Sequence, residues 1–122
     1  MGRSLTSQRA VCCWIPLFAL RSEEARRPEL RNRPTALLAP DTTRRLWQVS
    51  PQARHAGVKA GSTVSQAIGL CHSLTLLEPD PVHYEMRFET LLRSLHDVSP
   101  VVEAAELGRA FIGVDGLEGI YG

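Results

Sequence analysis

With 122 residues, 43% of them hydrophobic and 22% charged, the chain has the make-up of one soluble domain with a small core, and nothing in it suits a low-complexity or membrane-spanning protein. The net charge of +1 hides an asymmetry: residues 1–61 hold 11 Lys+Arg against 4 Asp+Glu (+7), and residues 62–122 hold 3 against 9 (−6). Ten of those 11 basic residues are arginines, so the first half either meets a polyanion through forked phosphate contacts or is an Arg-rich solvated surface.

Residues 1–8 are polar and read as a frayed, disordered end. Their "MGRSLT" loosely fits a myristoylation pattern, with no other membrane signal beside it. Residues 9–15 read as a buried strand, with Cys12 and Cys13 as small strand side chains. The apolar run "AVCCWIPLFAL" is broken by Pro16 and followed by "RSEEARR" instead of a small-residue cleavage site, so it is not read as a signal peptide. It is also too short to span a bilayer. Pro16 suits the first turn of the helix "PLFALRSEEARR", in which Glu23 and Arg27 form an i,i+4 pair and which Pro28 helps to end.

Two short strands, "RPTALLAP" and "RRLWQVS", flank a turn at "PDTT". Ser50 caps a short helix with Pro51 at its first position and Gly57 as its stop. Thr63 and Gln66 have capping-box spacing, and Val64, Ala67, Ile68 and Cys71 make one apolar helical face. Leu74 to Leu77 reads as a strand. Asp80-Pro81 opens the longest helix, about residues 81–97, with Tyr84, Phe88, Leu91, Leu92, Leu95 and Val98 as its buried stripe. Strands at about 101–105 and 109–114 follow. The order β-α-β-β-α-α-β-α-β-β predicts a mixed α+β fold. The three cysteines form no framework, which suits a reducing cytoplasm, and Cys71, His72 and His83 match no standard zinc spacing. The final "GLEGIYG" reads as a chain ending in mid-architecture.

The motifs resemble a family in their shared order. "RRPELRNRPTALL" is similar to a "NPELRGKPVAV" run, and "SPQARHAGVKAGSTVSQAIGLCHSLTLLEPD" to a run from "EAR..G...GM" through "A..LCP.L". "YEMRFETLLRSLHDVSPVVEAAELGRAFIGVDGL" resembles "Y...S..I...L...SP.VE..S.DEAYLD". Together these resemble the N-terminal region of Y-family (DinB/UmuC-type) translesion DNA polymerases. The resemblance covers about residues 9–122. It implies a partial palm from residues 9–16 and 82–122, with a helix-rich fingers subdomain from 17–81.

The family transfers nucleotides with two divalent metals held by carboxylates, the hard oxygen ligands that Mg²⁺ takes. The resemblance puts those carboxylate positions at Cys13, Ile15, Gly108 and Arg109, none of them acidic. Glu103, Glu106 and Asp115 are the neighbouring acids, read as surface or turn residues. The triphosphate-contacting Tyr and Arg of the family fall at Pro51 and Arg54. The aromatic position that screens the sugar falls at Phe18, which equally suits a core. Arg44 and Arg45 are the DNA-binding candidates.

Lost carboxylates on a kept scaffold, with the Trp and Pro of "CWIPLFAL", most resemble the ImuB-like branch of bacterial damage-induced (SOS) mutagenesis. That likeness implies a non-catalytic adaptor in DNA repair and translesion synthesis. It implies as partners DNA, a replication clamp, a catalytic polymerase and an accessory protein, reached through later segments. It implies no metal and no cofactor. The alternatives are an active translesion polymerase requiring Mg²⁺, an inactive gene fragment, and a phosphate- or nucleic-acid-binding module.

Overall fold

A computed structural model describes residues 10–113 and divides the chain into two compact units. The described part of the first comprises residues 10–16 and 84–113, and the second comprises residues 17–83. The elements in chain order are β1 (Ala10–Trp14), α1 (Phe18–Arg26), a 3-10 helix (Pro28–Asn32), β2 (Thr35–Leu38), β3 (Leu46–Val49), α2 (Pro51–His55), α3 (Val64–Leu70), β4 (Thr75–Leu77), α4 (Pro81–His96), β5 (Val102–Glu106) and β6 (Arg109–Gly113). The architecture is α+β, with the expected order of strands and α-helices plus the unforeseen 3-10 helix. Pro28 starts that helix as well as following α1, because its missing N–H is no loss in a first turn.

The second unit is built on the sheet β3-β2-β4, with β2 antiparallel to β3 and parallel to β4. All four residues of β2 are buried, since it is the central strand and both its faces are covered. Ala36 and Leu38 join Leu46, Val49, Ala53, Val58, Ala67 and Cys71 in one core cluster. On the opposite face Leu37 pairs with Gln48, whose Oε1 accepts from the Leu20 N–H of α1 at 2.9 Å. Ser50 caps α2 as its position predicts. Its buried Oγ accepts from Ala53 N (3.2 Å) and also from Thr35 N (2.9 Å), tying the start of β2 to the helix. Thr63 and Gln66 form both arms of the capping box of α3.

The β2–β3 connection holds Asp41, whose carboxyl lies below its usual range because the Thr43 hydroxyl and then the Thr43 N–H donate to it. Glu23 of α1 is buried. Its Oε1 accepts from Arg26 Nε and Arg27 NH2, both at 3.1 Å, and its Oε2 accepts from Arg26 NH2 at 2.8 Å. Arg26 NH2 also reaches Asp80 at 2.9 Å. Hydrogen bonds to Glu23, then to Asp80, push the Arg26 guanidinium above its ordinary range.

The first unit contains the antiparallel sheet β1-β6-β5. Ser99 pins one end: its Oγ donates to Gly113 O at 2.8 Å and accepts from Val101 N at 3.2 Å.

Burial departs from the sequence expectation in three places. β1 was expected to be buried, yet Val11 is 49% and Trp14 58% exposed: strand side chains project to the sheet faces, and there Trp14 meets the Arg109 guanidinium. Ile68 is 42% exposed, since a seven-residue helix docked through Ala67 and Cys71 cannot also turn Ile68 inward. In α4 only Tyr84 and Phe88 are fully buried. Leu91, Leu92 and Leu95 are half-buried and Val98 is exposed, so the cover thins toward the end of the helix. Asp115 lies outside the described residues.

Candidate functional site

β1 and the β5–β6 turn meet because of their register. Trp14 stands opposite Arg109 and Cys13 opposite Ala110, and Ile15 N donates to Gly108 O at 2.8 Å. This sets Cys13, Ile15, Gly108 and Arg109 at one end of the sheet, with the Arg109 side chain on the same face as Trp14 and Cys13 on the other. Gly108 has φ +84, a left-handed turn conformation that glycine adopts without steric cost. Arg109 is held on two sides. Its guanidinium carbon lies 5.3 Å from the centroid of the Trp14 ring, and NH1 is 3.1 Å from Glu106 Oε1. Its shielded Nε has no hydrogen-bond partner among the described residues.

The chemistry of this corner is therefore cationic and aromatic. Glu106, the acid closest in sequence, neutralises Arg109. Glu103 is exposed opposite Phe111. Thiol, aliphatic, glycine and guanidinium groups do not fit a Mg²⁺ ion, which takes oxygen ligands. Among the described residues no three His, Cys, Asp or Glu side chains converge on a point.

Arg109→Ala is expected to remove the ring contact, worth about 0.5–1 kcal/mol, and an exposed ion pair worth about 0.2–1 kcal/mol. Thermal unfolding should show a Tm lower by several degrees. Arg109→Lys should recover part of the loss.

The remaining candidates lie in the second unit. Phe18, at the first position of α1, is buried with 6% exposed. Arg54 is exposed in the last turn of α2, and Pro51 occupies that helix's first position. Arg44 adopts φ 53 and pairs with exposed Glu78 at 3.3 Å. Arg45 NH1 donates to Gly61 O at 2.9 Å. Sequence reasoning missed Trp14 as the partner of Arg109. The usable signal was "CCWIP" feeding a strand whose antiparallel partner begins at Arg109, but only the register joins them.

The impB/mucB/samB family model matches residues 13–122. The chain is 32% identical over 102 residues to the DNA polymerase IV of Pelotomaculum thermopropionicum, covering 81% of this chain and 25% of that protein. It is 32% identical over 114 residues to the DNA polymerase IV of Moorella thermoacetica, covering 90% of this chain and 28% of that protein. Its fold matches a post-insertion binary complex of Dbh DNA polymerase with TM-score 0.83 and 21% identity, over 90% of this chain and 33% of that one. An insertion ternary complex of the same polymerase matches with TM-score 0.78 and 20% identity, over 88% of this chain and 32% of that one. The chain thus spans about a quarter of the length of these curated relatives. An edge strand feeding a helix, a β-hairpin answering it across the sheet, and a family match over nearly the whole sequence lead to one conclusion: the chain belongs to the impB/mucB/samB family of Y-family DNA polymerases and their relatives.

Proposed function

We propose that the chain is the polymerase-derived part of a non-catalytic adaptor in DNA-damage tolerance, of the ImuB-like kind. Residues 9–16 and 82–122 serve as partial palm, and 17–81 as fingers. The observation that carries this reading is the end of the sheet where Cys13, Ile15, Gly108 and Arg109 lie: none of the four is a carboxylate, and the Arg109 guanidinium is held by Trp14 and Glu106. DNA is the proposed partner of this part. A replication clamp, a catalytic polymerase and an accessory protein are the proposed partners of the whole protein, acting in the cytoplasm.

Trp14 supplies the test, because Mn²⁺ quenches indole fluorescence at short range. Titration with Mn²⁺ into the millimolar range is expected to give no saturable quenching beyond that of Trp14→Phe, which retains Trp47. Saturable quenching reversed by EDTA would sink the proposal.

A second reading, an active translesion polymerase, is favoured by the 32% identity to proteins named DNA polymerase IV. It requires carboxylates from outside the four matched positions, which hold none.

A further inference from the structure

Within the second unit, one side of α3 and the loop before it form an open groove of about 530 Å³ lined by Gly57, Lys59, Ser62, Gln66, Gly69 and Leu70. Packing does not account for Gly69. It lies inside α3, where glycine weakens a helix relative to alanine. Yet a Cβ built there meets no heavy atom within 4 Å. The fold has no steric need for glycine at this position, and the bare Cα adds room to the groove.

Charge is the second observation. No carboxylate occurs between Asp41 and Glu78, and since Arg44 is paired with Glu78, Arg45, Arg54 and Lys59 are the cations of that interval that remain. Exposed Lys59 lines the groove. Arg45 binds the carbonyl of Gly61 on the same loop, a contact that leaves its charge uncancelled. Gln66 Oε1 is taken by Thr63 N, which leaves the amide NH₂ as a donor. Leu70 is exposed and gives the rim an apolar flank.

We propose that this groove binds the sugar-phosphate backbone of a single-stranded nucleic acid. Lys59 and the Gln66 amide meet a phosphate, the strand passes over Gly69, and Leu70 flanks a sugar or base. One short loop and one two-turn helix make a channel for one strand, not for a duplex. The inference rests on the reading of the chain as a DNA-handling domain and adds to it a specific path.

The test is fluorescence anisotropy of a labelled single-stranded oligothymidylate with the 122-residue chain, across a salt series. Gly69→Glu is expected to weaken binding at least about tenfold with an unchanged or higher Tm, since the position is sterically open and the helix gains a better former. Gly69→Gln, neutral and of the same size, should weaken it by blockage alone. Lys59→Ala should weaken binding several-fold and flatten the plot of log K against log salt by about 0.7, the share of one phosphate contact on a single strand. Affinity that survives these changes in folded variants overturns the groove and leaves the DNA-handling reading standing. A wild-type chain that does not bind the oligonucleotide overturns both. Displacement of the oligonucleotide by polyglutamate at matched charge overturns the groove proposal in favour of acidic peptides.

Discussion

The full-length protein, given primer-template DNA, all four dNTPs and millimolar Mg²⁺, is expected to add no nucleotide. Two metal ions stabilise the attacking and leaving oxygens of nucleotidyl transfer, so a site that cannot gather them loses the main source of its rate. The matched positions hold a thiol, an alkyl group, no side chain and a guanidinium. The guanidinium also opposes metal entry. Its pairing with Glu106 and its contact with solvent reduce that opposition, so the missing oxygen ligands are the larger effect. Mutating Arg109 to Glu alone should restore nothing, because three further ligand positions stay empty of oxygen. The result that would overturn this is Mg²⁺-dependent extension abolished by Glu106→Ala. Glu106 would then be a metal ligand, not the partner of Arg109 seen at 3.1 Å.

The largest expected loss of stability follows from Glu23→Ala. The carboxylate is fully buried and accepts three charge-assisted hydrogen bonds from Arg26 and Arg27. Removing one member of a buried ion pair costs about 3–5 kcal/mol. Both arginines keep solvent contact and can rehydrate, so the lower end of that range applies. At about 4 °C per kcal/mol, where the ranges for smaller and larger domains meet, Tm should fall by about 10 °C or more. Chemical denaturation should show a lower midpoint with an unchanged slope. Arg27→Ala, which leaves the two Arg26 contacts in place, should cost much less. Equal losses from the two substitutions would mean that the buried carboxylate is not the centre of this cluster.

These two residues show how far the sequence could be read. The Glu23–Arg27 spacing was legible as a helical pair, and its geometry is present. Its depth was not, because burial depends on which elements pack around α1. The same limit applies to Ile68, Leu91 and Val98: the periodicity chose a face correctly for Ala67 and Tyr84, but not how far the cover extends. Local chemistry read best. The Ser50 cap on Ala53 and the Thr63–Gln66 box act through neighbours within three residues, so they needed no tertiary information, unlike the second bond of Ser50, to Thr35. The sequence named Cys13, Ile15, Gly108 and Arg109 as one site, and the register sets them at one end of the sheet. The contact between Trp14 and Arg109, 95 positions apart in sequence, depends on strand register, which a single sequence does not specify. Likewise, nothing in the motif containing Gly69 tells a glycine needed for backbone shape from one that leaves space.

The left-handed turn at Gly108 carries a consequence for the history of such a protein. An L-residue in that conformation costs about 1–2 kcal/mol, somewhat less for aspartate. Any lineage regaining an acid there meets a folding penalty at once, while the benefit waits on three more substitutions. On the proposed reading, the loss of chemistry behaves as a ratchet: the backbone has settled around the absence and makes reversion the less fit intermediate.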